Sequence, residues 1–442
     1  MLNRGVLSIA ERADRARRVT ATFGRIYLGI KAHQWAARYL EESAAARRWE
    51  RFHQRSAQSI FQTAVELGGL ILKGCQFIGS RSDLLPPEYV RVLSKLQDRV
   101  PPRPFPEIRD VVEEELGASL ESVFPVFSRE SVASASLAQV HRAVLADGRI
   151  VAVKVQYPDI EDIIRTDLAN MRRVCRVYEF FDPQPLPLLP LVTELTRHLA
   201  MELDVEREGE CADRVRELFA DDPQVKVPRI HGEWTTSRVL TMDLVVGMKI
   251  TEREAIEQAR LEPAEVLQNL MYIYVRMILA AGFFQADPHP GNLFVTREGQ
   301  IVLLDFGLSK ELPDGFGLAL FELMFSLMTF NESALVRAFG ELGFRSKTGD
   351  EATFVAIARR MISRSDTGSF EGELTEDMTD ELFEAIREDP VAEVPSDFVL
   401  VARVFSLLSG IAHSLGSRAN ILQAMSGGGA IPTSPGSSSA TA

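Results

Sequence analysis

The chain is poor in cysteine, with three in 442 residues (Cys75, Cys175 and Cys211) and no two at C-x-x-C spacing. That excludes a zinc ribbon or a C-x-x-C redox pair built from its own thiols, and the low, odd count fits a reducing compartment. It also lacks an uncharged apolar run of membrane-spanning length. Its most apolar stretches, Leu270 to Phe284 and Phe398 to Leu415, are interrupted by Arg276 and Arg403, so both are expected to be core helices. Scattered charges (Arg4, Glu11, Arg12, Asp14) stand where a signal peptide would have its apolar region, and no signal peptide is expected. Positive charge is the scarcer sign: 49 Lys and Arg against 62 Asp and Glu give a formal net charge of -13. Such a chain repels phosphate backbones, which argues against nucleic acid as its main partner. Basic clusters do occur at Arg12 to Arg18 and Arg47 to Arg51; they suit either a solvated helix face or contact with an anionic membrane surface.

What is present is 46% hydrophobic residue, enough for one large core or two packed lobes. Residues 1–55 are rich in Ala, Arg and Glu, with apolar positions at Phe23, Ile26, Tyr27, Ile30 and Trp35; this predicts a helical segment, packed on the body or offered to a partner. Residues 56–125 continue helical, and Pro86-Pro87 and Pro101-Pro102 bound a short helix from Glu88 to about Arg99. From Val132 the pattern becomes alternating. ASLAQVHRAVLADGRIVAVKVQYP reads as two strands around Asp147-Gly148, a strong hairpin signal. Helices are expected over Ile160 to Phe181 and Leu191 to Phe219, then a second strand pair around Val225 to Ile230 and Arg238 to Leu244. From Glu254 to about Ala424 the pattern is mostly helical, broken by FQADPHPGNLFVTREGQIVLLDFG. The tail, 426–442, is Gly, Ser, Pro and Ala and is expected to be disordered. No internal repeat is visible. The plan is α+β with two lobes: a small β-sheet lobe over 126–246 behind the helical extension, and a mainly helical lobe over 247–425. Ligands often bind between such lobes.

Asp287 and Asn292 stand five positions apart in a Pro- and Gly-rich loop, and Asp305-Phe306-Gly307 follows a predicted hairpin. Protein kinases place a catalytic-loop aspartate and a metal-binding asparagine at this spacing. Phosphoryl transfer needs a positioned acceptor and magnesium to neutralise the triphosphate. Hard magnesium prefers oxygen ligands, here the Asn292 amide oxygen and the Asp305 carboxylate. Val151-Ala152-Val153-Lys154 resembles the V-A-I-K strand whose lysine contacts the α- and β-phosphates, although an edge-strand lysine reaching solvent would read the same way. The segment LTRHLAMELDVEREGECADRVREL carries Glu202, Asp204, Glu206, Glu208 and Glu210. A kinase lysine pairs with a helix glutamate, and the pattern does not choose among these. Where an ordinary kinase has G-x-G-x-x-G, this chain has Ser131-Val132-Ala133-Ser134-Ala135-Ser136. Small residues still permit close backbone approach, but alanine resists positive φ, so nucleotide geometry should differ from that of typical kinases. Taken alone, the stretch also suits an ordinary turn.

The blocks ASASLAQVHRA, VAVKVQYP, ELDVERE, VLTMDLVVG, FQADPHPGNLFV and LLDFG resemble the UbiB/AarF family of atypical kinases over about residues 60 to 345. That family includes coenzyme Q-associated kinases of mitochondria and plastoglobule kinases of plastids. The resemblance implies a protein-kinase-like fold with ATP or ADP and magnesium as cofactors. It implies that Lys154 contacts phosphates and pairs with Glu208, that Ala133, Ser134, Ala135 and Ser136 form the alanine-rich loop, and that the backbone of Met242, Asp243 and Leu244 reads adenine. Asp287 would be the catalytic-loop aspartate, with Asn292 and Asp305 holding magnesium. Glu202 and Asp204 match the family's E-x-D motif. Lys73-Gly74-Cys75-Gln76 falls where the family has K-x-G-Q, whose lysine enters the active site from an N-terminal extension; Gln76, Glu202 and Asp204 are assigned regulatory roles. That extension is thought to cover the usual protein-substrate surface. The chain departs from the family at Cys75, which replaces the motif glycine, at Ser134, and in lacking the C-terminal membrane hairpin of the bacterial ubiquinone-associated members.

The resemblance implies an atypical kinase or ATPase serving isoprenoid-quinone or lipid metabolism. A protein-serine/threonine kinase and a non-catalytic nucleotide-binding regulatory module are the alternatives; no A-P-E motif follows Asp305, and helix resumes near Phe316. The expected partners are nucleotide, a small-molecule or lipid substrate and a peripheral membrane contact, with a homodimer left open. The expected location is cytoplasmic, peripheral to a membrane.

Overall fold

Ser8 starts the first helix because it can cap it. Its Oγ accepts from the Glu11 N–H at 3.2 Å, and the Glu11 carboxylate accepts from the Ser8 N–H at 2.8 Å, satisfying donors that a helix start leaves open. The computed structural model describes residues 7–39, 41–79, 86–98, 102–181, 188–329, 331–346, 354–355 and 391–417; the tail expected over 426–442 lies outside them. The chain divides into two units, Met1–Glu206 with Ile230–Leu244, and Arg207–Arg229 with Val245–Ala442.

In the first unit, α1 (Ile9–Ala37) and α2 (Glu42–Leu67) pack as a hairpin. Two left-handed glycines, Gly68 (φ 59°) and Gly69 (φ 55°), turn the chain into α3 (Gly69–Gly79). A Cβ on Gly69 would stand 2.6 Å from the Ile163 side chain, so the turn and the packing both require glycine. Helices α4 (Pro87–Leu93), α5 (Phe105–Leu116) and α6 (Leu120–Val123) lead into an antiparallel sheet. Its order is β1 (Val126–Ser134), β2 (Ala138–Val144), β3 (Ile150–Gln156) and β5 (Val239–Asp243). The β2–β3 turn is made at Gly148 (φ 86°), where Asp147-Gly148 predicted it. α7 (Ile160–Phe181) and α8 (Leu188–Leu203) complete the unit. Alternation along β3 sends Val151, Val153 and Val155 into a core with Ile108 and Val112 of α5 and Leu199 of α8. Each such side chain contributes about 1.5–3 kcal/mol. Ala152 and Lys154 take the opposite face.

The second unit holds most of α9 (Val205–Leu218) and a second sheet. Its order is β4 (Val225–Lys226), β9 (Ile301–Leu303), β8 (Leu293–Val295) and β6 (Met248–Lys249). Helices α10 (Arg253–Gln258) and α11 (Pro263–Val275) precede a short antiparallel pair, β7 (Phe283–Gln285) with β10 (Ser309–Glu311). α11 runs on into a π-helical turn, Arg276–Ala281. α12 (Phe316–Met328), α13 (Glu332–Glu341), the pair β11 (Arg345–Ser346) and β12 (Val391–Glu393), and α14 (Ser396–Leu415) follow. Among the described residues α14 is the one helix long and apolar enough to cross a membrane; here it buries Phe398, Val401, Val404, Leu408 and Ile411.

Two local expectations are corrected. The helix read over Leu191 to Phe219 is two helices, broken at Asp204. The strand pair read around Val225 and Arg238 does not form as a pair. β4 runs parallel to β9, β5 joins β3, and a single bridge, Ile230 to Met242, links the two segments. The true partners are far away in sequence and leave no local trace.

Candidate functional site

In the second unit the candidate loop is built around a hairpin. Asp287 lies just after β7, whose pairing with β10 continues as Ala286 N–H to the Leu308 carbonyl at 2.8 Å. The loop then tightens. His289 N–H donates to the Asp287 carbonyl at 2.7 Å, His289 Nδ1 accepts from the Gly291 N–H at 3.1 Å, and Asn292 N–H donates to the His289 carbonyl at 2.8 Å. Strands β8 and β9 pair with Leu293 opposite Leu303, and Leu304 N–H donates to the Asn292 carbonyl at 3.1 Å. The hairpin therefore brings Asn292 beside the residue that precedes Asp305, so the amide and the carboxylate residue of the expected metal pair both stand at its open end.

Asp305 is held from several sides. Its Oδ1 accepts from the Gly307 N–H at 3.1 Å. Its carbonyl accepts from Gln285 Nε2, and Gln285 Oε1 accepts from the Tyr274 hydroxyl. Gln285 and Tyr274 are buried, so the relay fixes the backbone of the D-F-G segment from beneath. Arg207 of α9 clamps the next turn, donating to the carbonyls of Gly307 (3.1 Å) and Ser309 (2.6 Å). Glu208, the adjacent residue, is buried. Arg403 of α14 stands 3.6 Å from Asp287. Burial pushes the Tyr274 phenol well above its ordinary range, and the Asp287 charge adds to this.

The first unit carries the other expected residues. Lys154 stands between Val140 of β2 and Leu240 of β5 in the register. Its face of the sheet includes Ala152, with Leu240, Met242, Val140 and Leu244 forming an apolar bed. Asp243 ends β5, the last strand in the sheet order, and its carboxylate lies 2.8 Å from His231 Nε2. Leu244 N–H donates to the Ile150 carbonyl at 3.3 Å. Ala133 and Ser134 end β1, opposite Val140 and Gln139. Ala135 N–H closes the turn on the Ala138 carbonyl at 2.8 Å, and Ser136 is buried. Arg260 is the sole non-glycine with positive φ among the described residues. This segment is thus built without the left-handed conformations that alanine resists.

Lys73 and Glu202, 129 positions apart, form an ion pair at 2.6 Å. The other carboxylate oxygen of Glu202 is buried without a hydrogen bond. Asp204 is exposed at the α8–α9 break. Gln76 lies on α3 with Lys73, and its side chain is outside the described part of the structure. Cys75, in place of the motif glycine, is buried with Leu72, Leu93 and Leu96, and burial pushes its thiol up to about 12.

The structure thus joins Asn292 with Asp305 in one unit and Lys73 with Glu202 in the other; Lys154 belongs to the first unit and Glu208 to the second. Sequence reasoning missed Gln285, Tyr274, Arg207 and Arg403. Gln285 left a signal, because an amide ending the apolar strand Phe283–Gln285 must find partners when buried. As a donor set, Asn292 and Asp305 supply two hard oxygen ligands. Magnesium usually takes few protein ligands and completes its shell with water and phosphate, which fits. No group of three His, Cys, Asp or Glu converges among the described residues.

A five-residue Asp-to-Asn loop, a hairpin and a D-F-G turn, with a lysine on the central part of an antiparallel sheet, define a protein-kinase-like architecture of the atypical class. A profile of the ABC1 atypical kinase-like domain matches residues 95–339, more than half of the chain, and the chain belongs to that family. It is 33% identical to an uncharacterized Synechocystis protein, sll1770, over 93% of this chain and 70% of that one. It is 32% identical to AarF domain-containing protein kinase 1 of Xenopus tropicalis over 83% of this chain and 72% of that one. It is 31% identical to the chloroplastic ACTIVITY OF BC1 COMPLEX KINASE 8 of Arabidopsis thaliana over 90% of this chain and 56% of that one. These AarF and ABC1 kinases are the UbiB/AarF group the motifs resemble. A solved structure, the Mycobacterium tuberculosis Rv3197–erythromycin complex, matches with a TM-score of 0.59 at 24% identity, covering 84% of this chain and 95% of that chain; it supports the fold.

Proposed function

We propose that the chain is a magnesium-dependent ATP-binding phosphotransferase or ATPase acting on a small molecule or lipid, in isoprenoid-quinone or lipid metabolism. The observation that carries this is the hairpin that sets Asn292 beside the Asp305 segment, with Asp287 at the head of the same loop. Family membership implies nucleotide binding. In the proposed chemistry Asp287 accepts the proton of an acceptor hydroxyl, or of water, as its oxygen attacks the γ-phosphorus. The bond to the ADP oxygen breaks, ADP leaves, and the proton passes to solvent. Lys154 binds the α- and β-phosphates. Asn292 and Asp305 would hold magnesium, which when bound neutralises charge on the phosphates. The Tyr274–Gln285 relay and Arg207 keep Asp305 in place. Purified full-length chain with magnesium should bind ATP or ADP and turn ATP over. Lys154→Ala and Asp305→Asn should each cost about 3 kcal/mol or more at the transition state. Wild-type chain that neither binds nucleotide nor hydrolyses it, with lipids or phenols present, would overturn the reading. The protein-kinase alternative finds little support: α12 begins at Phe316, nine residues after Gly307, leaving a short segment for peptide docking.

We further propose a cytoplasmic location with peripheral membrane contact. Leu28, Trp35 and Tyr39 are exposed on the α1–α2 hairpin, as are Arg47, Arg48 and Arg51. Apolar and cationic side chains together suit an anionic bilayer surface. The earlier cluster is committed elsewhere, since Arg12, Arg15, Arg17 and Arg18 all form ion pairs. Vesicle flotation tests this: binding should need anionic lipid and fall in the Arg47→Glu, Arg48→Glu, Arg51→Glu triple variant.

A further inference from the structure

The loop that carries Asp287 supplies no fixed cation of its own. Between Asp287 and Asn292 stand Pro288, His289, Pro290 and Gly291, and the His289 ring nitrogen Nδ1 accepts the Gly291 N–H. A carboxylate that must work beside a triphosphate is repelled by it, and an opposite charge close by reduces that repulsion. The structure provides one from outside the matched domain. Arg403 lies on α14, beyond residue 339 where the family profile ends, and its Nη2 is 3.6 Å from Asp287 Oδ1. The two side chains are 24% and 26% exposed, so solvent screens the pair only in part. The distance is too long for a hydrogen bond; the attraction is coulombic.

A charged residue stands out at this position. It interrupts an apolar helix whose neighbouring residues Val401, Ala402, Val404 and Phe405 are buried. Placing a charge there carries a desolvation cost that an opposite charge offsets. The sequence marks Arg403 only as the residue that breaks a hydrophobic run, and the structure gives that break a partner.

We propose that Arg403 is a positioning residue for phosphoryl transfer: its guanidinium holds the Asp287 carboxylate towards the acceptor and offsets its repulsion from the nucleotide phosphates. This rests on the phosphotransferase reading above. The test uses full-length chain carrying Arg403→Met, Arg403→Lys, Asp287→Asn, and Asp287→Asn with Arg403→Met. ADP release is followed against magnesium-ATP concentration, and thermal shift with ADP reports folding and binding. Arg403→Met should lower kcat by about 10- to 100-fold while KM for ATP and the ADP-induced shift stay close to wild type. Arg403→Lys should recover part of the rate. In the Asp287→Asn background, Arg403→Met should cost little more, because its effect runs through Asp287. Should Arg403→Met fail to fold, Arg403→Gln is read in its place. Wild-type kcat in Arg403→Met, or the same fractional loss in both backgrounds, would overturn the proposal and leave the phosphotransferase reading standing. Absence of turnover in wild type would overturn both.

Discussion

Tyr157 holds the alanine-rich segment in place: its hydroxyl donates to the Ala135 carbonyl at 3.0 Å, and its N–H donates to the Leu137 carbonyl at 3.0 Å. The Arg103 guanidinium sits 5.3 Å from the centre of its ring and is tied to Asp159 at 3.1 Å. Tyr157→Phe should cost about 1 kcal/mol in urea unfolding and weaken ATP binding, since the segment loses one of its ties. Cys75 gives a second residue-level expectation. An unfolded thiol ionises near 9.0, whereas burial raises the folded one to about 12. The folded state holds that proton more tightly, so its contribution is intact below about pH 9 and is lost as pH rises towards about 12. Cys75→Ala should therefore lose less stability than wild type between about pH 9 and 11, measured as urea midpoints. Lys154, Asp287, Asn292 and Asp305 could be singled out in the sequence because the proposed chemistry would dictate residue type and spacing. Arg207 and Arg403 could not. Their partners lie 100 and 116 positions away, and an arginine on a helix has the same letter whether it faces water or a carboxylate.

Helix α1 is fastened to α7 through charge. Arg15 reaches both oxygens of the fully buried Asp167, at 2.5 and 3.0 Å, and its Nη1 donates to the Leu67 carbonyl at 2.7 Å. Arg15→Met leaves a buried carboxylate unpaired and should cost about 3–5 kcal/mol, with α1 becoming sensitive to limited proteolysis. Arg15→Met with Asp167→Leu should recover most of the loss, because no charge is then stranded. A tighter constraint sits at Gly317, where α12 passes the π-helical turn: a Cβ there would stand 2.3 Å from the Leu279 carbonyl oxygen. Gly317→Ala should cost about 1–3 kcal/mol by overpacking, read from the thermal midpoint. Legibility at this scale followed the range of the interaction. The β2–β3 hairpin closes within a few residues and announced itself through Asp147-Gly148. Strand β1 did not, because its residues are mostly exposed or half-buried and it shows no clean alternation. The β4 partner is β9, 76 positions on, and nothing near Val225 records it.

The α+β plan was legible from the switch between alternating and helical periodicity, since that switch reflects which faces must be buried. The status of α14 was less so, because an apolar core helix and a membrane span share the same composition. The structure gives it Phe398, Val401, Val404, Phe405, Leu408 and Ile411 as buried side chains. At about 1.5–3 kcal/mol each, their loss would rival the whole stability of a domain, about 5–15 kcal/mol. A chain truncated after Pro395 should therefore lose cooperative unfolding of the second unit by calorimetry. Retention of a wild-type transition would show that α14 is no part of that core. The β8–β9 hairpin has a practical use at its other end. Arg297 and Glu298 are exposed at its tip, beside Gly299, while Asn292 and Asp305 flank its base. A fluorophore attached at the tip would ride on the element that bears the proposed ligands, and could report when they are engaged without obstructing them.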